Sequence, residues 1–293
     1  MLMQTRPSRL YLPKLDSSPQ TIFEYLIERF PRVNATVWRE RISQGLIMLS
    51  DGTKLEQHSP YRHGLTVFYR REVYAEPASV EDPLVVYRDH EILVVDKPHG
   101  MPVTPSGEHV ERSLLVRLQR MTGLLDLSPM HRLDRDTAGL ILFSINPDAR
   151  ARYHGLFAES RIEKEYLAVA HVAAPLNGTR WRIENRIEQG QPWYRQRIVE
   201  GAVNAITEIE LCEVTSGLGR FRLFPKTGKK HQLRLHLESI GCPIVGDPLY
   251  PTITKKRAED PPLQLLAKRL AFIDPLTGAS HSFTSDRNTG SGV

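Results

Sequence analysis

The chain has 293 residues, of which 40% are apolar and 25% charged, with a net charge of +5 and a pI near 9.2. That balance supports a sizeable buried core, excludes a disordered or collagen-like chain, and favours a polyanionic partner without requiring one. The length fits a main domain with one smaller module. Cys212 and Cys242 form no C-x-x-C pair and no disulfide framework, so a reducing, cytoplasmic compartment is expected. Residues 1–7 lack the basic-then-apolar layout of a signal peptide. The longest apolar stretch, around residues 166–174, is too short to span a membrane and contains His171, so neither secretion nor membrane insertion is expected. His231 and His236 are five apart rather than four, and no Cys/His/carboxylate cluster has ligand spacing, so no metal site is expected.

In chain order, Ile22, Leu26 and Phe30 predict a helix over 21–30, and a second is expected over 36–44. Gly45 stops it, and the run 46–49, an Asp51-Gly52 turn and a strand over 65–69 complete a two-helix-plus-hairpin unit. Two prolines and three acids between Glu76 and Pro83 break the apolar pattern, which places the domain boundary near residue 80: a module over 1–80 and a main domain over 81–293. The runs 84–87 and 92–95 predict a hairpin, 113–121 a helix, and Leu140-Ile141-Leu142-Phe143 a buried strand. Asn146 and Pro147 open a helix whose buried stripe is Ala149, Tyr153, Leu156 and Phe157. Strands are expected over 166–172, 205–214 and 221–224, and a last helix over 230–240, stopped by Gly241 and Pro243. Strands with scattered helices and no strict alternation indicate an α+β sheet domain.

Three segments carry chemistry. In Met130-His131-Arg132-Leu133-Asp134-Arg135-Asp136, cationic neighbours favour the ionised carboxylate, so Asp134 reads as a nucleophile or base; the same pattern also describes a surface ion-pair loop. Lys226 to Arg234 is a glycine turn leading into a helix whose N-terminal cations, Lys229 and Lys230, are placed to hold phosphate. Residues 220–257 hold nine Lys and Arg against Glu238 and Asp247, which fits either a nucleic-acid surface or a solvated charged face. Lys164-Glu165-Tyr166-Leu167-Ala168-Val169 is an alternating strand; its tyrosine is either core or, if it faces Asp134, functional.

Together these segments resemble the RluA-type pseudouridine synthases. Val94-Val95-Asp96-Lys97-Pro98-His99-Gly100-Met101 is similar to the family's first motif, His131-Arg132-Leu133-Asp134 with Thr137 and Gly139 to its catalytic motif, and 164–169 to its tyrosine motif. Thr227-Gly228 with His231-Gln232-Leu233-Arg234 resembles the arginine motif, and Gly241-Cys242-Pro243-Ile244-Val245-Gly246-Asp247-Pro248-Leu249-Tyr250 the long motif after it. The match runs in family order over roughly residues 84–275. It departs at Ala138, where the family usually has serine, and at Leu266, where a histidine commonly precedes the alanine equivalent to Ala267. The amino-terminal unit is similar to the S-four-like RNA-binding module, with Asn34-Ala35-Thr36 replacing the usual Ser/Arg-rich start of its second helix.

The resemblance implies a pseudouridine-synthase-like, mixed and largely antiparallel sheet flanked by helices, preceded by a small S-four-like α/β module. It implies an isomerase that rejoins uracil to ribose through a ring carbon, needing no cofactor. By resemblance, Asp134 is the catalytic carboxylate, Tyr166 stacks on the target uracil, and Arg234 pairs with Asp134. Leu265 adds an apolar wall, Arg132 fills the space vacated by the flipped base, and Lys229, Lys230, His231 and Gln232 bind substrate. The expected partner is RNA, ribosomal RNA before transfer RNA, with the protein a monomer. A non-catalytic RNA-binding protein on the same scaffold, or a nucleosidase acting on free nucleosides, are the alternatives.

Overall fold

The computed structural model describes residues 2–3, 7–15, 17, 19–31, 33–70, 72–73, 81–105, 111–173, 175–257 and 259–289. They fall into two compact units, the first within Met1–Pro77 and the second within Ala78–Ser106 and Arg112–Val293. Most of the segment on which the sequence places the boundary, residues 76–80, lies outside the described residues.

The first unit contains β1 (Leu2–Met3), β2 (Ser8–Tyr11), α1 (Ile22–Arg29), α2 (Ala35–Ser43), β3 (Ile47–Leu49), β4 (Thr66–Tyr69) and β5 (Glu72–Val73). β4 lies between β2 and β3, all antiparallel, and β1 pairs with β5. α1 begins at Thr21 because its hydroxyl accepts the Glu24 N–H while the Glu24 carboxylate accepts the Thr21 N–H. Asn34 caps α2 by accepting the Thr36 N–H at 2.9 Å, so the residue that departs from the Ser/Arg-rich pattern performs the cap itself. Leu26, Trp38, Ile47 and Val67 form its core.

The second unit contains β6 (Leu84–Arg88), β7 (Ile92–Lys97), α3 (Leu114–Thr122), β8 (Ser128–Pro129), β9 (Ala138–Ser144), a 3₁₀ turn (Pro147–Ala149), α4 (Arg150–Ala158), β10 (Ile162–His171), β11 (Arg180–Gln189), β12 (Gln196–Val199), β13 (Ala205–Thr215), β14 (Leu218–Pro225), α5 (Gln232–Ser239), β15 (Leu265–Ile273) and β16 (Ser280–Thr284). The sheet runs β12-β11-β13-β14-β10-β15-β9-β7-β6, with β16 on β15 and β8 on β9. Its pairings are antiparallel except β15 with β9, which run parallel through Leu266–Ala138 and Ala267–Gly139. The architecture is therefore an α+β, mixed and mostly antiparallel sheet.

Side-chain alternation explains why β7 and β9 read as continuous apolar runs. Ile92, Val94, Leu140 and Leu142 pack on one face against Tyr153 and Leu156 of α4, while Leu93, Val95, Ile141 and Phe143 pack on the other against Leu114 and Leu118 of α3. α5 covers a third cluster, with Leu233 and Leu237 against Ala168, Ile209, Phe221 and Leu223. Strands β11, β12, β15 and β16 have no counterpart in the sequence reading. In β11 the two-residue period was present, since Trp181, Ile183 and Ile187 alternate with Arg180, Arg182, Glu184, Arg186 and Glu188.

Two glycines set close backbone approaches beside the site. Gly139, at φ 110°, lets β9 run against β15 where a β-carbon would overlap the Ala267 carbonyl. Gly246, at φ 74°, lies in the same way against the Pro262 carbonyl, one residue before Asp247. Among the described residues, no helix is long and apolar enough to cross a membrane.

Candidate active site

The segment between β8 and β9 carries Asp134 and is fixed from beneath. Lys97, fully buried at the end of β7, donates from Nζ to the carbonyls of Arg135 (3.0 Å), Pro98 (2.9 Å) and Met101 (2.8 Å). It thereby ties the first motif's loop to the catalytic one, satisfying all three ammonium protons. Burial pushes that ammonium down to about 7, against the pull of the Asp136 and Asp134 carboxylates. His131 stacks on Phe157 and accepts the Leu142 N–H at Nε2 (3.1 Å), anchoring the segment's start to β9. His99 Nδ1 donates to the Asp136 carbonyl at 2.7 Å, and the Thr137 N–H closes a turn on the Asp134 carbonyl at 3.2 Å. The Asp134 side chain stays 25% exposed.

Tyr166 sits on β10 at a register shift opposite Ala267 of β15, packed against the Leu265 cluster. Burial first, and the Asp134 charge second, raise its phenol well above the ordinary range, so it is a neutral ring. Arg234 of α5, 3% exposed, reaches Asp134 Oδ2 with Nη1 at 3.4 Å. Its tighter partner is Asp247, 1% exposed, at 2.7 Å from Nε and 2.5 Å from Nη2. Asp247 Oδ1 also accepts the N–H groups of Leu249 and Tyr250. The structure thus brings Asp134, Tyr166 and Arg234 together, and adds Asp247 as the tighter of two carboxylate partners of Arg234.

The other candidate residues do not all join this group. Arg132 is exposed, and no ion pair to it forms among the described residues. Leu265 of β15 is buried in the cluster against which Tyr166 packs. Lys229 and Lys230 are exposed, the latter donating to the Tyr194 carbonyl at 3.1 Å. Gln232 is corrected from a substrate contact to a loop lock. Its Oε1 accepts from Thr227 Oγ1 and the Lys229 N–H, and its Nε2 donates to the Ile206 carbonyl and Thr207 Oγ1, which leaves the buried amide no capacity for phosphate. The helix starts at Gln232, not Lys230, because His231 is left-handed (φ 58°) and buried. The basic stretch 220–257 is likewise not one surface. Arg222 pairs with Glu165 and Glu210, Arg220 with Glu213 and Lys226 with Glu208, all acids outside that stretch, while Lys255, Lys256 and Arg257 are exposed. Sequence reasoning assigned no role to Asp247, Tyr250 or Lys97, although all three lie in motifs it singled out.

The histidines around the site predict an acid response. His131 is lowered by burial to about 3, and His231 and His236 to about 4, from an ordinary value of 6.5. The network under α5 keeps His236 neutral: Gln232 Nε2 donates to Thr207 Oγ1, whose hydroxyl donates to His236 Nδ1, and His236 Nε2 donates to Asn185 Oδ1. Between pH 6.5 and about 4 the unfolded chain binds more protons, so the stability contribution is present above 6.5 and lost as pH falls. Each histidine adds a slope of at most about 1.4 kcal/mol per pH unit. The thermal midpoint is expected to fall from pH 6.5 to 4.5, and more shallowly in His236→Gln; superimposable curves for the two proteins would contradict this.

The comparisons agree with this geometry. The human RNA pseudouridylate synthase domain containing 1 structure superimposes with a TM-score of 0.56 at 24% identity, over 73% of this chain and 86% of that one. The fold is thus that of the pseudouridylate synthases. The family described as RNA pseudouridylate synthase matches residues 91–239. The dual-specificity RNA pseudouridine synthase RluA of Pasteurella multocida is 32% identical over 228 residues, 72% of this chain and 96% of its own. The ribosomal large subunit pseudouridine synthase C of Rickettsia bellii is 31% identical over 57% of this chain and 56% of its own. The mitochondrial tRNA pseudouridine(32) synthase of Saccharomyces cerevisiae is 26% identical over 78% and 50%. The chain belongs to the RNA pseudouridylate synthase family, within its RluA type, and is an isomerase that converts uridine to pseudouridine in RNA.

Proposed function

We propose that the chain isomerises uridines of large-subunit ribosomal RNA, with Asp134 as the catalytic carboxylate. The carrying observation is that a partly exposed carboxylate, Asp134, is ion-paired at 3.4 Å to the guanidinium of a buried Arg234 and lies near enough to Tyr166 for its charge to act on the phenol. In this reading the bond from uracil nitrogen one to ribose breaks, the base turns against Tyr166 and rejoins through carbon five, and the proton lost from carbon five is balanced by one taken up at the freed nitrogen. Asp134 attacks either the anomeric carbon or the uracil ring, or the reaction passes through a glycal. The target is flipped out of its stack with Arg132 filling the gap, and Lys229, Lys230, Lys255, Lys256 and Arg257 hold flanking phosphates. The module within residues 1–80 contacts RNA, and the protein acts as a cytoplasmic monomer. The ribosomal-RNA relative and the S-four-like resemblance favour this target; the yeast relative supports transfer RNA as the second reading.

The test is tritium release from transcripts of large-subunit ribosomal RNA and of transfer RNAs labelled at uracil carbon five. Release from the ribosomal transcript, weakening steeply as salt rises, is expected. Release from transfer RNA alone would replace the first target with the second.

A further inference from the structure

His231 enters α5 in a left-handed backbone conformation that a non-glycine residue adopts at a steric cost, and its ring is buried. Its Nδ1 lies 2.9 Å from the Tyr250 hydroxyl and its Nε2 3.9 Å from Asp134 Oδ2. Tyr250 is buried and held by the guanidinium groups of Arg195 and Arg234, at 4.8 and 5.1 Å from its ring centre. Its oxygen accepts the Gln196 N–H from β12 at 2.7 Å.

That leaves one phenolic proton and two acceptors, His231 Nδ1 at 2.9 Å and the Gln196 carbonyl at 3.2 Å. Were the proton given to Gln196, Nδ1 would have to be the protonated nitrogen, and the bare Nε2 lone pair would face the Asp134 carboxylate. With the proton given to Nδ1, the shorter contact is used and the N–H lies on Nε2, the nitrogen 3.9 Å from Asp134 Oδ2, a separation beyond direct hydrogen-bond reach across which the N–H dipole still favours the carboxylate. The carboxylate and the tyrosine therefore select the same tautomer. The charged groups around the ring are Asp134 and Asp247 against Arg234 and Lys230. Burial, reinforced by Arg234 and Lys230 and opposed by the two acids, holds the imidazole down at about 4, so it acts as an N–H dipole and not a cation.

We propose that His231 is a positioning residue for Asp134: its Nε2–H, fixed by the chain from Gln196 through Tyr250, joins Arg234 Nη1 in addressing Oδ2, so that Oδ1 turns to the bound uridine. The proposal rests on the reading of Asp134 as the catalytic carboxylate. It moves His231 from the substrate-binding group to a positioning role and gives the β11–β12 hairpin, through the Gln196 main chain, a place in orienting the carboxylate. A residue with this role acts on the bound complex, so its loss lowers kcat and spares KM.

Two measurements on the full chain test it. Nitrogen-15 spectra of the histidine-labelled native protein should show His231 protonated at Nε2 and bare at Nδ1; a proton at Nδ1 overturns the proposal. In tritium release, His231→Leu should lower kcat about 10- to 100-fold with the KM for RNA within about twofold. His231→Gln, whose side-chain amide reaches the same side, should recover most of that loss. Native kcat in His231→Leu, or equal losses in both variants with native thermal midpoints, overturns it. Asp134→Asn run in parallel separates the two readings, because turnover in that variant would remove Asp134 itself, whereas an inactive Asp134→Asn beside a fully active His231→Leu would remove only the role of His231.

Discussion

Asp134→Asn is expected to abolish tritium release, with a loss of at least about 10³-fold in kcat, while RNA affinity and the thermal midpoint stay close to native. The substitution keeps the side chain's volume and removes its charge and nucleophilicity. Little stability is at stake because Asp134 is partly solvated and Arg234 keeps its bidentate partner, Asp247, at 2.5 and 2.7 Å. The segment around it is held by Lys97, His99 and His131 through the main-chain atoms of its neighbours, none of which depends on the Asp134 carboxylate. Fluorescence anisotropy with labelled RNA checks binding alongside the release assay. Residual turnover within tenfold of native would show that the carboxylate does not take part in the chemistry.

What was legible in the sequence is what is contiguous. The catalytic segment, the Tyr166 strand and the Arg234 helix are each written within a few residues, so their types and order could be read directly. The apolar run at Leu140 to Phe143 was equally plain because a strand buried on both faces loses its alternation. The partners of these residues were not legible, since they come from segments whose meeting is set by the sheet. Arg234 looked like a partner for Asp134 alone until the chain beyond Gly246 returned Asp247 to it. Arg220, Arg222 and Lys226 looked like a basic surface because the acids that neutralise them sit on β10 and β13.

The two departures from the family pattern illustrate the same limit. Ala138 and Leu266 read as separate changes far apart in the chain, yet they are register partners across the parallel β9–β15 pairing, and both are buried. In this chain both side chains are apolar, so their meeting beside Gly139 is a packing contact that leaves no donor or acceptor to satisfy. The site's polar groups hydrogen-bond instead through Lys97, His131 and Arg234.

Asp247→Ala is expected to be the most destabilising change at the site and to impair catalysis by a different route from Asp134→Asn. It leaves a buried guanidinium without its bidentate carboxylate and removes the acceptor for the Leu249 and Tyr250 N–H groups, which together cost about 3–5 kcal/mol. At about 2–4 °C per kcal/mol, the thermal midpoint should drop by roughly 6–20 °C. Arg234 would be left with Asp134 as its remaining carboxylate partner among the described residues and would be drawn toward it, so kcat should fall while RNA affinity changes little. The double variant Asp247→Ala with Arg234→Met separates the two effects, because removing both buried charges restores packing without restoring the orientation of Asp134. Its thermal midpoint should recover toward native while release stays low. A midpoint within about 2 °C of native for Asp247→Ala alone would mean the pair is solvated rather than buried, and recovery of release in the double variant would show that Arg234 does not orient Asp134.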